Sequence, residues 1–343
     1  MHSMSPPEGQ GTRPHLPPEV RFGTSSWAYE GWQGLVYHKP YPKSRFSRDC
    51  LAEYVAYAYR GEPLFRTVGV DHTFYRPPSV GQLAHYAAQL PPGFLVCSKV
   101  WEELTIPAYA KHARYGLRGG TGNPKFLDVE LFKEAVLAPT REGLGAYAGP
   151  LIFEFQRSGL APETFLDKLD GFLEALPVGS QYAVEVRNPA ILGDRYRAIL
   201  AAHRVAHVYN HWTSMPPLAE QHRALGRRFT AAFAVVRLLT PLGLSYEKAV
   251  ERAAPYNKLV QPLPRMRAET GDLVRQSAEE HRPIFVLVNN RAEGSAPLTV
   301  QALVDQLLGS EAEPGAGTGP PAGKQTEPAS ATKSLDKHLA HTP

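Results

Sequence analysis

The residues best placed to do chemistry stand at the ends of apolar runs. Tyr182-Ala183-Val184-Glu185-Val186-Arg187-Asn188-Pro189 sets a carboxylate and a guanidinium two positions apart in a short hydrophobic stretch. Successive side chains of a strand point to opposite faces, so Ala183, Glu185 and Arg187 share one face and Val184 and Val186 the other. A lone buried carboxylate is costly, and Arg187 is the obvious partner for Glu185. Pro189 cannot donate to a ladder and ends the strand, which puts Arg187 at a strand mouth facing a solvated pocket. Other runs repeat the pattern. Glu154 alternates with Phe153 and Phe155 and has Gln156 beyond it, Lys99 closes Phe94-Leu95-Val96-Cys97-Ser98-Lys99, and Arg237 sits in Ala234-Val235-Val236-Arg237-Leu238.

Collected, these ends supply Thr24, Trp27, Asp71, Tyr75, Lys99, Glu154, Gln156, Glu185, Arg187, Asn210, His211, Arg237, Asn289 and Asn290. Polar groups concentrated at one end of apolar strands cost free energy unless they are paired or line a cleft. The catalytic candidates are Glu185 and Glu154, as an acid/base pair, and Lys99, as an amine or a cation. Arg187 would clamp an anion, and the rest would bind substrate. The structural alternatives are an ion pair for Glu185 with Arg187, a snorkelling or paired Lys99, and a loop tie for Asn289 and Asn290. Trp27, Tyr29, Trp32, Phe74, Tyr75, Trp101 and Trp212 serve either core packing or a stacking wall. Asp71, Glu154, Glu185 and His211 are the ligand types of a hard divalent-metal site. No H-x-H or H-E-x-x-H spacing accompanies them, so no metal or other cofactor is assigned and a metal stays the alternative.

Positioning these ends requires strands. Eight runs alternate with helical patterns: 20–25, 65–71, 94–99, 150–156, 182–187, 205–210, 232–238 and 284–289. Helical stretches are expected at 49–59, 79–89 (with Ser79 as N-cap), 129–137, 162–176, 195–203, 246–254, 266–281 and 300–308. Alternation of this kind implies a parallel sheet with right-handed crossovers. Eight units over residues 20–308 predict an α/β fold, a TIM-like (β/α)8 barrel with a closed parallel sheet and outer helices, whose sites lie at the C-terminal strand ends. A doubly wound sheet is the alternative. The first turn, Gly23-Thr24-Ser25-Ser26-Trp27, is no G-x-G-x-x-G, and no phosphate-cradling G-x-x-x-x-G-K-[ST] occurs. Residues 100–149 exceed a normal crossover, and their glycine-rich part at 116–124 reads as an exposed, mobile loop, either a lid or decoration. Residues 1–19 and 309–343 are poor in large apolar side chains and are expected to be disordered tails.

Composition bounds the function. With 43% hydrophobic and 20% charged residues, the 343-residue chain can build a large core. A net charge of +4 without a long basic run gives no support for nucleic-acid binding. Two cysteines, Cys50 and Cys97, cannot frame a disulfide scaffold, and no targeting segment or apolar span is visible. A cytoplasmic protein with no membrane attachment and structural thiols is expected. Oligomeric state is not encoded in any of these features.

Four of the strand-end motifs resemble the YecE-like family, catalogued as domain of unknown function 72. Gly23-Thr24-Ser25-Ser26-Trp27-Ala28-Tyr29-Glu30-Gly31-Trp32 is similar to its opening G-T-S-x-W-x-Y-x-x-W. Thr73-Phe74-Tyr75 resembles its T-F-Y, Ala183 to Pro189 its A-V-E-x-R-x-P, and Asn289 to Pro297 its N-N-x-x-E-G-x-A-P. The resemblance covers roughly residues 20–308 and implies a TIM-like barrel, but no established reaction. The family's Glu-x-Asn before T-F-Y is replaced here by Gly69-Val70-Asp71-His72, so a carboxylate is displaced or lost. The reading is a barrel hydrolase, lyase or isomerase acting on a small polar or anionic ligand. The alternatives are a non-catalytic barrel binding nucleic acid or a metabolite, and a divalent-metal-dependent barrel hydrolase.

Overall fold

The computed structural model describes residues 15–157 and 160–309. Eight parallel strands form one nearly closed sheet: β1 Val20–Thr24, β2 Thr67–Val70, β3 Leu95–Lys99, β4 Ala148–Phe155, β5 Tyr182–Val186, β6 Ala206–His211, β7 Ala234–Leu238 and β8 Ile284–Val288. Ladders run in the order β1-β8-β7-β6-β5-β4-β3-β2. The period-2 alternation of the sequence divides the core into two clusters. Cys97, Ile152, Ala183, Val208, Val235 and Leu287 fill the barrel interior. Val68, Phe153, Val184, Val186, Val236 and Val288 point outward into a larger cluster shared with the helices. Burial on both faces is what near-continuous apolar strands demand.

The seam between β1 and β2 closes by other means. The Arg66 N–H donates to the Phe22 carbonyl at 2.9 Å. Further along, the Tyr54 hydroxyl accepts from the Thr24 N–H at 3.0 Å and stands 3.3 Å from the Thr67 carbonyl, bridging the two backbones. Two glycines allow the approach: a Cβ on Gly23 would stand 2.1 Å from the Thr67 carbonyl oxygen, and one on Gly69 would stand 2.8 Å from that of Ser25.

Several local expectations shift for physical reasons. The helix expected over 49–59 ends at Ala56, because Arg60 (φ 54°) and Gly61 (φ 84°) make a tight hairpin turn between Ala58–Tyr59 and Glu62–Pro63. Ser79 precedes the helix Val80–Ala87, but its side chain makes no capping bond. The helix expected at 129–137 continues to Leu144 through a π-helical turn at Lys133–Leu137, just before Pro139, which brings no N–H to the ladder. A helix at Leu218–Ala224 is additional. The tails expected at the two ends fall largely on 1–14 and 310–343, outside the described residues. Within 15–19, the Pro17 carbonyl accepts from Val20 and from Arg66, and Leu16 packs on the core.

On the outer face of β6, His207 is fully buried between Tyr196 (3.1 Å from Nδ1) and Gln221 (3.4 Å from Nε2). Burial pushes its pKa down to about 3 from an ordinary 6.5. The folded state therefore refuses a proton that the unfolded chain accepts. Above pH 6.5 His207 leaves stability unchanged. As pH falls from 6.5 toward 3 it is expected to remove about 1.4 kcal/mol per pH unit. Denaturant titrations of the wild type and His207→Gln between pH 7 and 5 measure this, and a smaller slope in the variant is the expected result.

Candidate functional site

Alternation brings one inward residue from the C-terminal end of each of several strands into a common layer above the apolar interior. Lys99 of β3, Glu154 of β4, Glu185 of β5, Asn210 of β6 and Arg237 of β7 meet there, joined by Asp71 just after β2 and Arg187 just after β5. The strand ladders set Glu154 beside Glu185 and Asn210 beside Arg237.

Arg237, 1% exposed, is one centre of the layer. Its Nη2 donates to both oxygens of Asp71 at 3.1 and 3.0 Å, and its Nη1 to Glu185 Oε2 at 2.6 Å and Glu154 Oε2 at 3.0 Å. Glu154 is the other. Its Oε2 also receives Lys99 Nζ at 2.8 Å and Arg187 Nη2 at 3.0 Å, while Gln156 donates to Oε1. Three acids thus face three bases. Burial pushes the Glu154 carboxyl up, but Arg187, Lys99 and Arg237 together outweigh it and hold it well below the usual carboxylate range. Burial likewise works against the charge on Arg237, and Asp71, Glu185 and Glu154 more than offset it. Asp71, which opens the helical turn Asp71–Phe74 directly after β2, puts a strand-two carboxylate on Arg237.

The layer is closed from above. Lys99 Nζ lies 3.8 Å from the Phe74 ring centre, and the Arg187 guanidinium 4.2 Å from that of Trp212. Arg187 stands at the strand mouth as expected, but at 4% exposed it does not face a solvated pocket. A cavity of about 280 Å³ lies instead at the opposite ends of β4 and β5, beside Arg141, Gly149 and Ser180. Residues 100–128 are tied down: Tyr109 pairs with Thr121 through its backbone, and Asn123 Nδ2 donates to the carbonyls of Glu103 and Ile106. Glu103 binds Arg118 and Lys125, and Glu102 binds Arg114, whose guanidinium stacks 5.5 Å from Tyr75.

Not every donor and acceptor in the layer is satisfied. Arg187 Nε and Nη1, Arg237 Nε and Asn210 Oδ1 are buried without a hydrogen-bond partner. Glu185 Oε1 lies 2.6 Å from Arg187 Nη2, an ion-pair distance, yet outside hydrogen-bonding geometry. Asn210 is fully buried, and its Nδ2 donates to the Val186 and Val208 carbonyls.

The other sequence candidates are placed elsewhere. Thr24 is committed to the β1–β2 seam through Tyr54. Trp27 is buried, donating to the Ser47 carbonyl and packing on Tyr86. Tyr75 is half exposed at the mouth, against Phe74. His211 follows Asn210 directly and therefore points to the outer face, where Nδ1 meets the Thr240 carbonyl at 2.8 Å and burial lowers its pKa. Asn289 caps the turn Asn290–Glu293, and Asn290 Oδ1 accepts from Trp32 Nε1 and the Ala296 N–H. Both tie down the last loop, as does Glu293, which binds Arg267 and the Leu263 N–H. Tyr54 and Trp212 carry more weight than their sequence positions suggested; Trp212 was visible only as one of many loop aromatics.

With His211 on the other face, the metal set suggested by the sequence is not assembled. Among the described residues no group of three or more His, Cys, Asp or Glu side chains could hold a metal. Arg237 takes the position between Asp71, Glu154 and Glu185 where a cation would stand. Cys50 and Cys97 are both buried, and burial pushes each thiol up to about 12, so neither is a poised nucleophile. No helix among the described residues is long and apolar enough to cross a membrane.

Comparison with known proteins agrees with this architecture. The crystal structure of a DUF72 family protein from Thermotoga maritima matches with a TM-score of 0.58 at 20% identity, covering 85% of this chain and 99% of that one. A DUF72 family protein from Enterococcus faecalis matches with a TM-score of 0.55 at 15% identity, covering 86% and 97%. At these identities the likeness shows the fold alone. No curated protein matches the sequence. The family model described as "Protein of unknown function DUF72" matches residues 21–325, and the chain belongs to that family.

Proposed function

We propose that the charged layer is the ligand site of a barrel enzyme acting on a small anionic molecule. The observation that carries this is Arg187. Its Nη2 is anchored to Glu154 and Glu185, while Nε and Nη1, buried under Trp212, have no acceptor. An unsatisfied buried donor costs about 1–3 kcal/mol, and more when charged. A ligand carboxylate or similar anion would remove that cost, with Trp212 moving to admit it. Glu185 holds Arg237 through Oε2, and its Oε1 meets only the Arg187 guanidinium, the group the anion would engage, so a lyase, isomerase or hydrolase step would use Glu185 as base once the anion draws Arg187 away. Glu154, held ionised and accepting from four side chains, serves to hold Lys99, Arg187 and Arg237 in place.

Equilibrium dialysis of the protein against a cellular metabolite extract, read by mass spectrometry, tests this. The wild type is expected to retain an anionic small molecule. Arg187→Gln should lose it, and Glu185→Gln should retain it unconverted. Retention of no anion by the wild type, or undiminished retention by folded Arg187→Gln, would overturn the reading.

A further inference from the structure

Resting on the anionic reading of this site, we infer that its ligand is a polyhydroxylated carboxylic acid, a sugar acid, whose carboxylate meets Arg187 and whose hydroxyl donates to Asn210. Asn210 Oδ1 is a buried acceptor without a donor. The orientation of the amide is fixed, because Nδ2 is held by two carbonyl oxygens, of Val186 at 3.1 Å and Val208 at 3.3 Å. Only an N–H2 group satisfies both, so Oδ1 must face the other way. Its own backbone N–H is taken by Gln221 Oε1, and its carbonyl by Gln221 Nε2, so the strand cannot rotate to relieve it. Asn210 therefore asks for a donor from outside the chain.

The second half is charge. Asp71, Glu154 and Glu185 already balance Lys99, Arg187 and Arg237. A single added negative charge can be met by Arg187 Nε and Nη1. A dianion such as a phosphate monoester would also face the carboxylates of Glu154 and Glu185 in a low-dielectric layer, where like charges repel strongly. A plain carboxylate would satisfy Arg187 and leave Asn210 Oδ1 without a donor. A carboxylate with hydroxyl groups satisfies both kinds of open position, and the half-buried Trp212 supplies an apolar ring for its C–H groups.

Isothermal titration calorimetry of the intact protein with D-gluconate, hexanoate, D-glucose and inorganic phosphate tests the inference. Gluconate is expected to bind at least about tenfold more tightly than hexanoate, the cost of leaving a buried acceptor unpaired. It should also bind more tightly than glucose or phosphate. In Asn210→Ala the advantage over hexanoate should fall to near unity. If that variant does not fold, the four wild-type titrations decide. Equal binding of hexanoate, or preferential binding of phosphate, would overturn the hydroxyl assignment and leave the anionic reading standing. Binding of glucose as strong as gluconate would overturn both. No binding of gluconate would overturn the sugar-acid class, and the dialysis of Arg187→Gln then judges the anionic reading separately. An undiminished gluconate preference in Asn210→Ala would overturn the role of that residue.

Discussion

Arg237→Leu is expected to cost more stability than any other single change in the charged layer. It would leave the buried Glu154 and Glu185 with one of their two shared arginines, Arg187, and Asp71 without its bidentate partner. Removing one member of a buried pair costs about 3–5 kcal/mol, and here three carboxylates lose a partner at once. Since a domain's whole stability is about 5–15 kcal/mol, the variant is expected to unfold at a much lower denaturant concentration or fail to accumulate folded. Asp71→Asn supplies the contrast. The Asp71 side chain is 28% exposed and Arg237 keeps Glu154 and Glu185, so a loss of about 1 kcal/mol is expected. Urea unfolding at pH 7 compares the two. A loss below about 1 kcal/mol for Arg237→Leu would show that the layer is solvated and that its ion pairs do not hold the barrel top together.

Gly23→Ala is expected to be nearly as damaging for a different reason. The added Cβ would stand 2.1 Å from the Thr67 carbonyl oxygen and 2.6 Å from its carbon, and both are backbone atoms that no rotamer change can clear. The β1–β2 seam must open, which also breaks the Tyr54 bridge. Overpacking in a core costs about 1–3 kcal/mol, and a backbone collision belongs at the top of that range or beyond it. Gly81→Ala is the matched control: it lies in the helix Val80–Ala87, and beyond its chain neighbours and its own helix backbone no atom stands within 4 Å of the new Cβ, so a gain of about 0.5–1 kcal/mol is expected. Thermal unfolding of the pair should show shifts of opposite sign, and a neutral Gly23→Ala would mean the seam is looser than its contacts imply.

The barrel was legible because its strands are apolar on both faces and separated by helical patterns, and all eight runs became strands. The inward face of Glu185 and Arg187 followed from alternation alone, and Ala183 does line the interior beside them. Alternation also contained a warning: Asn210 and His211 are neighbours on β6, so only one of them can reach the interior. Two things could not be read along the chain. One is that Arg237 gathers Asp71, Glu154 and Glu185, partners 166, 83 and 52 residues away that only barrel closure brings together. The other is the Tyr54 bridge, because in sequence Tyr54 is one more large side chain in a short helix. The hairpin at 58–63 depended on a positive φ at Arg60, which arginine seldom adopts.

The central claim is that the open donors of Arg187 and the open acceptor of Asn210 await a ligand. A crystal structure of the wild-type protein grown with D-gluconate addresses it most directly. The account predicts a carboxylate within hydrogen-bonding distance of Arg187 Nε and Nη1, a hydroxyl on Asn210 Oδ1, and Trp212 displaced from its stack on Arg187. Arg187 Nε and Nη1 bonded to acceptors of the chain itself, with Trp212 in place and no ligand in the layer, would contradict it.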